Sequence, residues 1–374
     1  MSRRFALYLG GFLGPFGTIV TVPMLPELRD EFSVSTEVAG LNITMYVLPM
    51  AALMVFSGTL GERWGRNRTV RLTAAGYAGA SLICALAPSF GWFLFGRALQ
   101  GMLNAFFTPL LVAALAETTP SELLGRAVGF YSSFQAVGTA AAPLVGGLAA
   151  DAEWRSAFVV AAAVALSIAI FAPPEAGRVA TSPPSLRPLF TRPINLLGFG
   201  FMAGSIGPLG AGILVGLAAR DELGLDGRTT GMILLIAGLG AALTGPLMGG
   251  RMDRLGGRRG VAIGLAGAIV GNLVLAGVFD TNGAVLATAW LATWVIANLS
   301  VVSFHAIGAG AIENNRGGGL SMMLAYRFAG VGLSQIIWLP VFTRNPSLAF
   351  AGAAAVGLVA IAASWASRLD TLPG

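Results

Sequence analysis

The chain has 374 residues, of which 55% are hydrophobic and 11% are charged, and its net charge is +6. Ordinary soluble domains carry about 25% charged residues, so this composition and a mean hydropathy of +0.77 exclude a typical soluble enzyme or binding domain. All 23 basic residues are arginines spread over loops, and no basic domain is present that would hold nucleic acid. With one cysteine, Cys84, and one histidine, His305, we expect no metal site and no cofactor.

Twelve apolar segments are long enough to cross a hydrocarbon core of about 30 Å, and they predict an all-α membrane protein with twelve transmembrane helices. The first follows Met1-Ser2-Arg3-Arg4 without a small-residue cleavage site, so we interpret it as a retained span rather than a signal peptide. In chain order the segments are 5–26, 38–60, 70–88, 91–113, 125–149, 155–173, 193–218, 229–250, 260–279, 284–306, 319–342 and 347–367.

The longest connection, 174–192, is rich in Pro, Ser and Arg and separates the sixth segment from the seventh. We therefore predict an N-terminal six-helix bundle over 1–173, a cytoplasmic central loop over 174–192 and a C-terminal six-helix bundle over 193–374. No segment is large and polar enough to form a soluble domain.

Arginine bias gives the orientation, because cytoplasmic loops of membrane proteins are enriched in basic residues. With the N-terminus inside, sixteen of the 23 arginines fall in cytoplasmic segments and two fall inside spans. The other five, in outer loops, are Arg29, Arg155, Arg220, Arg228 and Arg344. This asymmetry predicts a protein of the cell (plasma or inner) membrane with both termini in the cytoplasm.

Two stretches that lie 191 residues apart (221 − 30) repeat each other without a gap. The identical pairs are Asp30 and Asp221, Glu31 and Glu222, Gly40 and Gly231, Gly58 and Gly249, Arg63 and Arg254, and Gly65 and Gly256. In addition, Glu62 aligns with Asp253. A duplicated half in a strongly apolar chain indicates a transporter built from two repeats, with its site between them.

The loop after the second segment resembles a motif of the major facilitator superfamily, which reads Gly-x-Leu-x-Asp-Arg-x-Gly-Arg-Arg between spans two and three. Here it is filled by Gly58, Leu60, Glu62, Arg63, Gly65 and Arg66. A degraded copy between spans eight and nine, as in that family, consists of Gly249, Asp253, Arg254 and Gly256. The resemblance extends over essentially the whole chain and implies the twelve-helix, two-repeat fold of a secondary transporter, not an enzyme.

In such a transporter the two loop copies are expected to form a conformational latch at the cytoplasmic ends. Glu62 would pair with basic residues or with the positive end of a helix near Gly319, in one state and not in the other. The latch set is Gly58, Glu62, Arg63, Gly65, Arg66, Asp253 and Arg254. The alternative is an ordinary positive-inside loop that serves only topology.

The fourth segment contains Arg97-Ala98-Leu99-Gln100-Gly101, which resembles the Arg-x-x-Gln-Gly pattern of the same family. Arg97, Gln100 and Asn104 recur at helical spacing and share one face. A buried arginine costs about 2.5–3.5 kcal/mol on insertion scales, so we expect this face to line a substrate or coupling cavity. The alternative is an arginine that snorkels to the outer interface.

The fifth segment contains an element similar to the Gly-x-x-x-Gly-Pro-x-x-Gly-Gly motif associated with the antiporters of the family. Gly138, Pro143, Gly146 and Gly147 match it, and Ala142 stands in place of one glycine. Proline bends a helix and glycines permit close packing against a partner. The match favours export, and the alternative is generic packing of small residues.

Three residues of the second half complete the predicted cavity: Trp294, Asn298 and Arg327. Trp294 and Asn298 continue a four-residue spacing from Trp290, which alone would suit a lipid-interface position. Arg327 either pairs with a cytoplasmic acid such as Glu313 or faces the cavity as an anion anchor. His305 is expected near the cytoplasmic mouth.

The end of the first segment, Val22-Pro23-Met24-Leu25-Pro26, resembles that of drug exporters, but Gly17 and its neighbours replace their membrane aspartate. Because no acid is predicted in mid-membrane, proton coupling stays open. The leading hypothesis is a monomeric exporter of drugs or metabolites, with protons as a candidate coupling ion. One alternative is a transporter of a small organic anion by uniport, exchange or symport. A non-transporting receptor or enzyme is disfavoured, since no catalytic cluster is evident.

Overall fold

The computed structural model describes residues 3–118, 121–171, 187–312 and 316–370, and within them all regular structure is helical. The predicted central loop lies largely outside these ranges. In the first half the helices are α1 (Arg3–Ile19), α2 (Leu25–Phe32), α3 (Thr36–Arg63), α4 (Arg66–Ala85), α5 (Phe90–Asn104), α6 (Phe107–Thr118), α7 (Ser121–Ala152) and α8 (Arg155–Phe171).

A short 3₁₀ turn, Arg187–Phe190, precedes the helices of the second half. These are α9 (Arg192–Ile206), α10 (Gly212–Leu217), α11 (Gly227–Leu255), α12 (Gly257–Val278), α13 (Gly283–Gly310), α14 (Arg316–Phe342) and α15 (Pro346–Ala366), and a π-helical turn, Ala218–Glu222, extends α10. Each of the twelve predicted segments contains helix.

Seven helices in the described ranges are long and apolar enough to cross a membrane, which makes this a multi-pass membrane protein. The seven stretches are Thr36–Gly58, Ser133–Ala152, Gly227–Leu255, Gly257–Val278, Gly283–Gly310, Gly318–Phe342 and Pro346–Ala366. A shorter apolar helix is Arg155–Phe171. The first, fourth and seventh predicted segments are each divided between two helices, so they do not form single long helices.

Prolines account for these divisions, because a proline cannot donate a hydrogen bond to the carbonyl four residues earlier. Pro23 interrupts the ladder after α1, and α2 then begins with proline in its first turn. In the fourth segment Pro109 cannot donate to the Ala105 carbonyl, and the Ser57 hydroxyl of α3 donates to that oxygen over 2.7 Å.

In the seventh segment the interruption lies at Pro208. The Leu209 amide bonds to the Gly204 carbonyl over 2.9 Å, which widens the turn. The Pro208 carbonyl accepts a hydrogen bond of 3.2 Å from the Asn272 side chain of α12. A partner helix therefore satisfies part of the backbone at this break, as buried irregular backbone in a membrane requires.

The two copies of the repeated loop adopt the same kind of turn. Gly65, between α3 and α4, has φ 89°, and Gly256, between α11 and α12, has φ 83°. Residues with a Cβ rarely adopt such angles, so glycine is required in both positions. The sequence repeat is thus matched by a repeat in backbone conformation.

Helices of the first and second halves of the chain pack together in two places. Helix α7 lies against α11, where Gly147 faces Gly227 and Gly231 faces Pro143. Helix α3 lies against α14, where the Thr44 hydroxyl donates to the Gly332 carbonyl over 2.9 Å. Both contacts lie toward the same ends of the helices. Toward the other end of α11, a Cβ placed on Gly245, Gly249 or Gly250 would meet nothing within 4 Å.

Candidate functional site

A cavity of about 580 Å³ lies among the helices of both halves and is the candidate substrate site. Its walls are mostly apolar, with a few polar side chains, which is typical of sites for small organic ligands. The first half contributes Thr18, Asn104, Thr108, Tyr131, Gln135 and Thr139, among others. The second half contributes Trp290, Trp294, His305, Leu324, Arg327 and Gln335, among others.

Arg97 is fully buried on α5 but does not line this cavity. Its guanidinium donates to the Gly17 carbonyl over 2.8 Å and to the Gln100 side-chain oxygen over 2.9 Å. Gly17 is among the last four residues of α1, whose carbonyls have no partner within the helix. Arg97 therefore caps the C-terminal end of α1, where a positive charge is also favoured by the helix dipole. The structure supports neither snorkelling nor a cavity-facing position.

Gln100 and Asn104, on the same face of α5, differ in what they reach. Gln100 donates to the Ser81 hydroxyl over 2.8 Å and stays behind the cavity wall. Asn104 donates to the Gly14 carbonyl over 2.8 Å and to the Tyr46 hydroxyl over 2.9 Å, and it lines the cavity. Of the three residues predicted on this face, Asn104 alone lines the cavity, while the other two fix α5 against α1 and α4.

Among the described residues that line the cavity, Arg327 of α14 is the only one with a formal charge. No carboxylate in the described ranges pairs with it, and its nearest ring is that of Phe328, 5.7 Å from the guanidinium carbon. Glu313, the acid considered as its partner, lies outside those ranges. Nearby, His305 lines the same cavity and its ring packs edge-on to Phe201, 5.4 Å away.

Trp290 and Trp294 of α13 stack with ring centroids 5.4 Å apart, and both line the cavity. Trp290 is therefore a buried wall residue and not a lipid-interface anchor. One turn further along, the Asn298 side chain donates to the Ala241 carbonyl of α11 over 2.9 Å. This contact joins α13 to α11 behind the wall, so Asn298 does not line the cavity.

The predicted latch residues lie at the ends of α3 and α11. Arg63, Asp253 and Arg254 are exposed and form no ion pair with the described part of the chain. Gly58 is half-buried on α3, and Arg66 begins α4. The side chain of Glu62 lies outside the described residues. The latch therefore stays a prediction.

The glycines of the fifth-segment motif all face other helices closely. A Cβ on Gly138 would meet the Phe12 carbonyl of α1, and one on Gly146 would meet the Val20 carbonyl just beyond it. Gly147 faces Gly227 of α11, and the neighbouring Pro143 lines the cavity. The motif therefore packs α7 against α1 in its own half and against α11 in the other half.

Sequence reasoning missed a set of ion pairs between the halves, near the α7–α11 contact. Arg220 forms a close ion pair with Glu27 and lies 4.0 Å from Asp151. The Asp151 carboxylate accepts hydrogen bonds of 2.7 Å from the Gly227 and Arg228 amides, at the start of α11. The repeated tripeptides Arg29-Asp30-Glu31 and Arg220-Asp221-Glu222 were the available signal, since Arg29 pairs with Asp221 over 3.5 Å.

Comparison with known proteins identifies the family. The model of the Major Facilitator Superfamily matches residues 7–215, which is more than half of the chain. The chain belongs to the Major Facilitator Superfamily. It is therefore a secondary membrane transporter of a small-molecule substrate and not an enzyme, as the loop motif indicated.

Relatives of this superfamily member include transporters and drug pumps. It is 25% identical over 350 residues to the uncharacterized MFS-type transporter YceJ of Bacillus subtilis, covering 90% of the chain and 88% of the relative. It is 32% identical over 154 residues to the drug efflux pump JefA of Mycobacterium tuberculosis, covering 40% of the chain but only 30% of the pump. The match to the multidrug efflux pump LfrA of Mycolicibacterium smegmatis, at 31% identity, also covers 30% of that pump.

Solved structures share the fold of this superfamily member at low sequence identity. A D-xylose–proton symporter superposes with a TM-score of 0.74 and 17% identity, over 97% of this chain and 96% of the symporter. A bacterial homologue of the human lysosomal transporter Spinster, in an inward-facing and occupied conformation, gives a TM-score of 0.72 and 16% identity, over 98% and 96% of the two chains.

Proposed function

We propose that this protein exports a small drug-like molecule or metabolite by alternating access. Twelve spans form two six-helix halves, 1–173 and 193–374, joined by a cytoplasmic loop over 174–192. The protein lies in the inner membrane, and both of its termini face the cytoplasm. The observation that carries the proposal is the cavity lined by both halves, with the α7–α11 and α3–α14 contacts toward the same ends of those helices.

Arginine bias assigns the ends with these contacts to the outside and the opposite helix ends to the cytoplasm. In this state the cavity would load substrate from the cytoplasm, and opening of the outer contacts would release it. Similarity to JefA and LfrA supports the outward direction. The glycines of α7 support alternating access, because they permit the close α7–α11 contact that must form and break in each cycle.

The orientation is tested with short tags on the full chain in intact cells. Tags at Ser182 and at either terminus should be inaccessible from outside, and a tag at Asn282 should be accessible. A tag at Ser182 that external antibody reaches would overturn the two-half arrangement.

The transport step is tested in proteoliposomes that contain the full chain, preloaded with ethidium, 2-naphthoate or 2-naphthamide, each with and without an imposed pH gradient. We expect protein-dependent flux of at least one compound, and its dependence on the gradient decides whether protons are coupled. Empty liposomes and liposomes with heat-denatured protein give the leak. Flux at the leak rate for every compound, in both gradient conditions, would contradict the proposal.

A further inference from the structure

We propose that the cargo of this cavity is a small aromatic monoanion, such as an aromatic carboxylate, whose charge sits on Arg327 and whose ring packs against Trp290 and Trp294. The inference rests on the export function proposed above and specifies the chemistry of the substrate. It follows from the charge of the cavity, from its unpaired polar atoms and from its aromatic wall.

Among the described side chains that line the cavity, the one formal charge is the guanidinium of Arg327. None of these side chains is a carboxylate, and no described acid forms an ion pair with Arg327. In a low-dielectric site an unpaired positive charge attracts an anion and repels a cation strongly. A monoanion balances the charge, whereas a dianion leaves one negative charge unpaired. The planar fork of arginine also matches the two oxygens of a carboxylate.

Several polar groups in the cavity wall lack hydrogen-bond partners within the described part of the protein. His305 Nε2 and Gln335 Oε1 are buried without a hydrogen bond, and both residues line the cavity. Thr18 Oγ1, in the part of the wall that the first half contributes, is also buried without a hydrogen bond. Buried polar atoms without partners are uncommon and costly, so a ligand that supplies these hydrogen bonds would be stabilised here.

Helical spacing sets the length of the ligand. Arg327, Val331 and Gln335 follow one another at four-residue intervals on α14, and all three line the cavity. Eight residues of α-helix span about 12 Å. A molecule with its carboxylate on Arg327 and a hydroxyl or amide donor at its far end would reach Gln335, and its body would lie between them.

The aromatic wall favours a flat apolar body between these polar ends. The Trp290 and Trp294 rings are stacked at 5.4 Å, with an interplanar angle of 26°. Aromatic ligands gain from offset stacking on such surfaces in addition to burying apolar area. A cavity of about 580 Å³ has room for a bicyclic acid.

The test compares three isosteric probes, 2-naphthoate, 2-naphthamide and 2-naphthylmethylammonium, by equilibrium dialysis against the full chain in nanodiscs. We expect the acid to bind about tenfold or more tightly than the amide, and the ammonium to bind most weakly. Arg327→Gln should remove the preference, with acid and amide within about twofold of each other and amide affinity unchanged. Arg327→Lys, which keeps the charge without the fork, should retain part of it.

The matched control is Arg192→Gln, which removes an exposed arginine at the start of α9 and should leave all three affinities unchanged. Thermal melting checks that each variant is folded, and Arg327→Lys keeps the test valid if Arg327→Gln is not. Equal binding of the three probes, a preference for the ammonium, an acid preference that survives Arg327→Gln, or no binding of any probe would overturn the proposal.

The binding and transport experiments distinguish failure of the proposed specificity from failure of the proposed export function. If the acid binds preferentially but proteoliposomes show no flux of any compound, the export function is wrong and the specificity stands. If flux occurs but is equally fast for acid and amide and is unchanged by Arg327→Gln, the specificity is wrong and the export function stands.

Discussion

The Arg97 guanidinium of α5 donates a hydrogen bond of 2.8 Å to the Gly17 carbonyl near the C-terminus of α1. Its carbon atom also lies 4.2 Å from the centre of the Tyr46 ring. Arg97 therefore holds the broken first segment in place, through a charge-assisted bond to backbone that has no other helical partner. Its role is structural positioning next to the cavity, and not substrate contact.

Arg97→Ala should lower the thermal unfolding midpoint and abolish most transport while the chain still inserts. The substitution removes the hydrogen bonds to the Gly17 carbonyl and the Gln100 side-chain oxygen, which keeps only a long contact of 3.7 Å from Cys84 Sγ. A buried acceptor left without a donor costs about 1–3 kcal/mol. Arg97→Lys should recover part of the stability, because a point charge cannot replace both bonds of the fork. Differential scanning fluorimetry and flux measure the two effects.

A substrate affinity measured on the folded fraction separates positioning from direct binding. We expect the dissociation constant in Arg97→Lys to stay within about threefold of wild type, since Arg97 does not line the cavity. The exposed Arg192→Ala serves as control. A large loss of affinity with an unchanged melting midpoint would place Arg97 in the binding site.

Gly147→Ala should open the contact between α7 and α11. Its new Cβ would overlap the Gly227 carbonyl, whereas Gly245→Ala adds the same methyl group to α11 where nothing lies within 4 Å. Overpacking costs about 1–3 kcal/mol, and we expect the ratio of the closed to the open state to fall by about 5- to 150-fold.

The closed population is measured by double electron–electron resonance between spin labels at Ser89 and Thr281 in a Cys84→Ala background. Both labelled positions are exposed. In Gly147→Ala the distance distribution should shift toward longer values, and in Gly245→Ala it should match wild type. An unchanged distribution in Gly147→Ala would mean that this contact does not control the closed state.

Glu62→Gln should slow transport without affecting insertion, if the repeated loop is a latch between states. Removal of the acid weakens the state in which the cytoplasmic helix ends come together. Because the state populations shift, we expect a partial loss of transport. Arg68→Gln, in the first turn of α4 just after this loop, removes one exposed charge and should have little effect. Wild-type flux in Glu62→Gln would reduce the loop to a topology signal.

The helical segments and the repeat were accessible from sequence because both depend on local patterns. Apolar length predicted where helix forms, and glycine at Gly65 and Gly256 marked turns with positive φ. The helix breaks were harder to place. Pro109 and Pro208 lie within apolar runs, and the partners that satisfy the freed backbone, Ser57 and Asn272, come from other helices.

The site was only partly accessible, because helical spacing identifies a shared face but not its neighbour. Arg97, Gln100 and Asn104 share a face, yet only Asn104 reaches the cavity, since the first two are taken up by the end of α1 and by α4. Gln135 and Gln335 could have been noted as polar residues inside apolar segments. Their place in the same cavity depends on how α7 and α14 pack, which one sequence does not reveal.

Acidic pH should favour the closed contact between the halves, through Glu27. This residue lies just beyond the first predicted span and forms an ion pair with Arg220 through Oε1. Its other carboxylate oxygen, Oε2, is buried without a hydrogen bond. Burial raises the pKa of the Glu27 carboxyl above its ordinary value of 4.5, and the nearby Asp151 and Asp30 act in the same direction. Arg220 opposes them and lowers it.

Glu37 acts in the opposite sense and has to be removed for a clean measurement. Hydrogen bonds from Ser35 and from Thr343, just after α14, lower the pKa of its carboxyl. Its contribution to the contact between the α3 and α14 ends is therefore present above the ordinary pKa and is lost as pH falls. A Glu37→Gln background eliminates this component and leaves the Glu27 carboxyl to be measured.

In that background the sign follows from linkage, since the state in which a group has the higher pKa is favoured when the group is protonated. A closed state with raised Glu27 pKa gains stability as pH falls from above that pKa to the ordinary 4.5, and loses it as pH rises through the raised value. The Ser89–Thr281 label distance should therefore lengthen with rising pH. Adding Glu27→Gln should make the distance independent of pH, and a pH profile that persists in that variant would assign the effect to another group.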